Sequence, residues 1–109
     1  MKQTKSLPYP TSENTISLVL SHKWFDAIES GEKQYEYRLC SKRNESLIRK
    51  KTKLFDMGKT IYLKFFRAYA KERKEMLFLL DGHCVKNGLH TDLAIDKDVF
   101  ELKIKSINH

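Results

Sequence analysis

Apolar and polar positions along this chain fall into short, separable patterns. Residues 15–21, TISLVLS, form a β-rich apolar run, and in the HKWFDAIES that follows, Trp24 and Ile28 stand one helical turn apart. A strand leading into a short helix is predicted. Ser21 suits the N-cap of that helix, and Gly31 the left-handed position after its C-terminus. In KQYEYRLC the side chains alternate, with Tyr35, Tyr37 and Leu39 on one face and Gln34, Glu36, Arg38 and Cys40 on the other. That predicts a strand with one apolar-aromatic face and one charged face.

Leu47, Ile48, Leu54 and Phe55 recur at one and two helical turns, with Arg49, Lys50, Lys51 and Lys53 mostly elsewhere on the wheel. The spacing predicts a basic amphipathic helix from Ser46 to Met57, stopped by Gly58. KTIYLKFFRAY alternates again, with Ile61, Leu63 and Phe65 opposite Tyr62, Lys64 and Phe66. EMLFLLDGHCV reads as a buried strand with a break at Asp81-Gly82. VFELKIKSI sets Phe100, Leu102 and Ile104 against Glu101, Lys103 and Lys105, and residues 86–98 between these two strands read as loop.

Five strands and two helices, with the strands clustered toward the C-terminal half, predict an α+β domain built on a mixed or barrel-like sheet. A length of 109 residues accommodates one hydrophobic core, so a polar leader over residues 1–14 and a single domain over 15–109 are expected. The longest apolar run, Met76 to Leu80, falls far short of the roughly 20 residues that span a bilayer. The first 15 residues lack the apolar centre of a signal peptide, so a cytoplasmic protein with no membrane partner is expected. Cys40 and Cys84 lack CxxC spacing and read as reduced thiols. His22, His83 and His90 lack the spacing of a metal cluster, and no pattern calls for a metal or any other cofactor.

Charge changes the picture. Between Lys42 and Lys74 stand twelve of the 21 Lys and Arg residues against three acids, a net +9 in a chain whose total is +7. The remainder is slightly acidic. A near-neutral scaffold with one concentrated basic segment points to a polyanionic partner. Arg49, Lys50, Lys53, Lys64 and Arg67 are its candidate nucleic-acid contacts. A solvated helix face is the plain alternative.

The densest chemistry lies in GEKQYEYR, residues 31–38. Glu36 and Arg38 share a strand face, placing a carboxylate that accepts from a base's amino group beside a guanidinium suited to phosphate or a base edge. Lys33 stands at the helix exit before the same strand. Tyr35, Tyr37, Tyr62, Phe66 and Tyr69 offer aromatic faces on which bases stack. Two plainer readings stand beside these: Glu36 and Arg38 as a structural ion pair, and Tyr35, Tyr37 and Leu39 as core.

The segment LVLSHKWFDAIESGEKQYEYR resembles the ASCH domain family of the PUA-like superfamily. That family opens with a strand, a short helix and a G-x-K-x-x-E-x-R motif, which Gly31, Lys33, Glu36 and Arg38 match without a gap. YLKFFRAY is similar to its third strand, with Ala68 at a position the family often gives to glycine, and VFELKIKSI to its last. The resemblance implies a small PUA-like β-barrel with two or three flanking helices. Its cleft would meet RNA or a nucleotide-like ligand through Lys33, Glu36, Tyr37, Arg38 and Tyr69.

Some members are amidohydrolases that deacetylate N4-acetylcytidine with a lysine, a threonine and an acid. Lys33 matches the lysine, and in an enzyme Lys33 and Glu36 are the candidate catalytic residues. Glu36 stands where the hydrolases carry threonine, and no residue of 86–98 is identifiable from sequence as the acid. Nuclease activity has no residue signature here. A protein-binding adaptor using the basic helix is a third class compatible with the charge.

Overall fold

The computed structural model describes residues 6–68, 71 and 74–107. Its strands are β1 (Thr15–Leu20), β2 (Tyr35–Leu39), β3 (Tyr62–Arg67), β4 (Glu75–Asn87) and β5 (Asp98–Lys105). They form one sheet in the order β1-β3-β4-β5-β2, in which β1 and β3 run parallel and every other pair antiparallel. The sheet curls into a half-barrel, so the fold is α+β, as the pattern predicts. A register shift between Leu80 and Gly82 contributes to the curl, because a bulge bends its strand and increases the local twist. The break read at Asp81-Gly82 is therefore an irregularity within one 13-residue strand.

The core follows from alternation. Ile16, Leu18 and Leu20 of β1 point inward, where they meet Leu63 and Phe65 of β3 and Phe100 and Leu102 of β5. Helix α1 (His22–Glu29) closes the same core with Phe25 and Ile28. Its N-terminus is capped by the Ser21 hydroxyl, which accepts from the Trp24 N–H at 3.5 Å. Gly31 follows with φ +84°, a conformation costly for a side chain with a Cβ, and turns the chain toward β2.

The second helical segment begins earlier than its apolar spacing suggests. It comprises α2 (Lys42–Asn44), a π-helical turn (Glu45–Arg49) and α3 (Lys50–Asp56). Ser41 caps it by accepting from the Asn44 N–H at 3.2 Å. Residues 42–44 carry no apolar side chain, so periodicity has nothing to register there. Ile48 is fully buried, and Leu54 and Phe55 pack against the core.

The expected polar leader is partly tied down. The Tyr62 hydroxyl donates to the Pro8 carbonyl, and Lys51 Nζ donates to the Glu13 carbonyl at 2.7 Å. Among the described residues no helix is long and apolar enough to cross a membrane.

Candidate functional site

β2 departs from the simplest reading of its alternation. Glu36 pairs with Leu102 and Arg38 with Phe100, both buried core residues of β5, so the charged face of β2 points into the half-barrel. Tyr35 and Tyr37 pair with Lys103 and Glu101 on the outer face, where Tyr35 is exposed and Tyr37 half-buried. The aromatic face is not core. β2 is an edge strand at the barrel mouth, where polar groups can face inward if they find partners.

They do find partners. Glu36 is only 4% exposed, and its Oε2 accepts from Arg38 Nε and lies 2.9 Å from Arg38 Nη2. Arg38 Nη2 also donates to the Val19 carbonyl at 2.8 Å. Because β1 and β2 are the two edges of the sheet, this side chain bridges the gap between them. Burial pushes the Glu36 carboxyl above its ordinary range, against the opposing pull of Arg38 and Lys33.

Lys33 sits on the other side of Glu36, with Nζ 3.6 Å from Glu36 Oε1 and in direct ion-pair contact with Asp92. The same ammonium lies 4.9 Å from the Trp24 ring centroid and 5.2 Å from that of Tyr37. Two carboxylates and two aromatic faces surround one nearly buried cation. The Lys33 N–H donates to the Ala27 carbonyl at 2.9 Å, which fixes the turn that delivers it.

Asp92 is the residue that sequence reasoning missed. It comes from the loop at 88–97, which folds back on β5 because Gly88 has no side chain. A Cβ there would stand 2.7 Å from Val99 Cγ1 and 3.0 Å from the Ile95 carbonyl oxygen. The Gly88 carbonyl accepts from the N–H groups of Thr91 and Ile95 and from the Thr91 hydroxyl at 2.8 Å. Gly88 was the available signal for a tight loop, but which of its acids would meet Lys33 depends on that packing.

Lys33 and Asp92 line a cavity of about 710 Å³, together with Trp24, Ser30, Glu32 and Tyr37. A second cavity of about 440 Å³ shares Trp24 and Tyr37 and is otherwise lined mainly by Val19, Leu39, Leu93 and Ile95, with Glu36 and Arg38 at its wall. Tyr37 donates to Glu101 Oε2 at 2.9 Å, and burial together with that carboxylate pushes its phenol up to about 12. Lys33, Glu36, Tyr37 and Arg38 are thus brought together around one cleft. Tyr69, the fifth expected ligand contact, lies outside the described residues.

The basic candidates are distributed differently. Arg49 is held by Glu45 at 2.7 Å and lies over the Phe100 ring at 5.1 Å. Lys64 pairs with Glu75 at 3.4 Å and Arg67 with Asp26 at 3.7 Å. Lys50 and Lys53 are exposed and without an ion-pair partner among the described residues. Lys50 also lines a groove of about 340 Å³ beside Ser12, Ser17, Ser46 and Lys51.

No family model matches this chain, and neither the curated proteins nor the solved structures compared with it give a match.

Proposed function

We propose that this chain binds RNA or a nucleotide-like ligand through the Lys33 cleft, as its resemblance to ASCH domains implies. The observation that carries the reading is Lys33 Nζ, set between the Trp24 and Tyr37 rings and against Glu36 and Asp92 at a cavity of about 710 Å³. A nucleobase presents a flat π face together with donor and acceptor edges. Trp24 and Tyr37 supply stacking surface, Lys33 a donor for a ring carbonyl, and Asp92 an acceptor for an amino group. Lys50 and Lys53, free of carboxylate partners among the described residues, are the candidates for the sugar-phosphate backbone.

The division of labour within the motif follows from burial. Lys33 and Tyr37 line the larger cavity, whereas the Glu36–Arg38 pair holds Lys33 from behind and joins the sheet edges. Titration of a short single-stranded RNA by fluorescence anisotropy tests the reading. Trp24→Ala and Lys33→Ala should each weaken binding by about tenfold or more, the value of one lost stacking or charged contact. Wild-type protein that fails to bind at low salt would remove the reading.

A second reading, hydrolysis of a modified nucleoside such as N4-acetylcytidine, draws support from one contact. Asp92 touches Lys33 and could fill the role of the acid, which pattern reasoning does not locate. Lys33 and Asp92 then form a pair able to pass a proton toward a leaving amine. Glu36 still brings a carboxylate where a hydroxyl is wanted, although burial drives it toward its neutral form. Chromatography of the nucleoside after incubation separates the readings: conversion to cytidine that disappears in both Lys33→Ala and Asp92→Asn favours hydrolysis, and no conversion leaves binding alone.

A further inference from the structure

β1 is an edge of the sheet, and half of its backbone has no strand to pair with. The Asn14 and Leu20 carbonyls accept from the Tyr62 and Ala68 N–H groups at 2.8 Å, so the even-numbered residues here direct their peptide groups toward β3. In a parallel pair the intervening residues point the other way, which turns the N–H and C=O groups of Thr15, Ser17 and Val19 outward. The Val19 carbonyl accepts from Arg38 Nη2 at 2.8 Å. The peptide groups of Thr15 and Ser17 have no bonded partner among the described residues, and Ser17 is exposed.

Two grooves flank that end of the strand, sharing Ser12, Thr15 and Ser17. One, of about 200 Å³, adds Lys64, which stands beside Ser17 in register. The other, of about 340 Å³, adds Leu47, Lys50 and Lys51 from the second helical segment. Every charged residue that lines them is a lysine. Lys50 is exposed and has no ion-pair partner among the described residues. Lys64 is shared with Glu75 at 3.4 Å, and Lys51 Nζ donates to the Ser12 and Glu13 carbonyls, which are neutral and leave its charge uncompensated.

An occupant of this edge must supply both donors and acceptors, because outward N–H and C=O groups alternate along it. A phosphodiester backbone offers acceptors only. An extended peptide offers an N–H and a C=O at every second residue, at the strand's own repeat of roughly 6.6 Å. A second copy of this chain would bring its own lysines to the same grooves, the like-charge arrangement that keeps free edges from pairing with each other. An acidic segment meets those lysines with opposite charge.

We infer that an extended acidic peptide of a partner protein adds to the free edge of β1, its main chain bonded to Thr15 and Ser17 and its carboxylates set against Lys50, Lys51 and Lys64. The main-chain bonds are indifferent to sequence, and the lysines select for acid in the side chains. Leu47, 46% exposed in the larger groove, gives an apolar contact to a residue between the acids. The grooves share no lining residue with the Lys33 cavity, so the inference stands apart from the reading of that cleft and meets it only at Lys50.

Titration of the isotope-labelled protein with a hexapeptide of alternating glutamate and valine, followed by amide chemical shifts at low salt, tests the inference. The Thr15 and Ser17 amides should shift, and their hydrogen exchange should slow by about tenfold or more at saturation, as new main-chain bonds require. Lys50→Glu, at an exposed position, should weaken binding by about fivefold or more, and a hexapeptide of alternating lysine and valine should not bind. Peptides N-methylated at every second residue separate main-chain pairing from charge attraction. The phase that removes the N–H groups facing β1 should bind about tenfold more weakly than the other, the value of two lost hydrogen bonds. No shift at Thr15 and Ser17, equal binding of the two methylated phases, equal binding of the lysine peptide, or a Lys50→Glu variant that binds as wild type overturns the inference. So does a hexauridylate RNA that produces the same amide shifts at lower concentration, which assigns the edge to nucleic acid. Shifts of those amides that depend on protein concentration without peptide assign it to a second copy and overturn the inference equally.

Discussion

Replacing Arg38 with alanine removes three polar contacts at once and exposes the cost of holding Glu36 inside the barrel mouth. Arg38 Nε and Nη2 both lie 2.9 Å from Glu36 Oε2, and Nη2 reaches the Val19 carbonyl at 2.8 Å. Breaking a buried ion pair by removing one partner costs about 3 to 5 kcal/mol. Two features place this case at the low end. The Arg38 side chain is 24% exposed, and Glu36 keeps Lys33 at 3.6 Å as a second cation. A loss of about 3 kcal/mol is therefore expected. In a domain of this size that corresponds to a melting temperature lower by about 12 to 24 °C.

Thermal melts followed by circular dichroism measure the loss, and pH identifies its source. Glu36 already has a raised pKa through burial, and removing Arg38 raises it further. An acid whose folded pKa lies above its unfolded value is stabilised in the protonated form, so the deficit of Arg38→Ala should shrink as pH falls toward the Glu36 pKa and grow as pH rises. Adding Glu36→Gln to Arg38→Ala should recover about 1 kcal/mol or more, since the double variant has no carboxylate to leave unpaired. A melting temperature within about 2 °C of wild type, with ligand binding abolished, would refute the reasoning and make Arg38 a solvated ligand contact.

The charge on the second helical segment predicts a salt effect. If Lys50 and Lys53 each meet a phosphate, the slope of log affinity for single-stranded RNA against log salt should flatten by about 0.7 for each alanine substitution. Arg49→Ala should alter it less, because Glu45 already holds that guanidinium. A second expectation concerns acid stability. Burial alone would raise the Glu101 carboxyl, but hydrogen bonds from Tyr37 and Cys84 together with Lys86 bring it below its ordinary range. Its contribution is thus present above the unfolded value of 4.5 and lost as pH falls through the lower folded value, so Glu101→Gln should give a shallower loss of stability below pH 4.5 in acid melts.

Local patterns in this chain determined most of its elements. A β-rich apolar run located β1 and alternation located β2, β3 and β5, the Asp81-Gly82 irregularity appeared as a dip in an apolar run, and Ser21 and Gly31 marked the ends of α1. These features are legible because their causes lie within a few residues: side-chain period, capping geometry and the freedom of glycine. Lys33, Glu36 and Arg38 stood out for the same reason, as charges interleaved with aromatics. Which face of β2 would be buried was not legible. Two alternating faces look alike in sequence, and the outcome depended on the pairing of Glu36 with Leu102 and on Arg38 reaching β1 across the barrel mouth. Asp92 lies 59 residues from Lys33, and only the packing of Gly88 against Val99 and Ile95 brings the two together. The basic segment was visible as a sum of charges, but its free cations were not, because Glu45, Glu75 and Asp26 draw away Arg49, Lys64 and Arg67. Contacts at long sequence separation are decided by the closing of the whole sheet, and no local window of residues contains them.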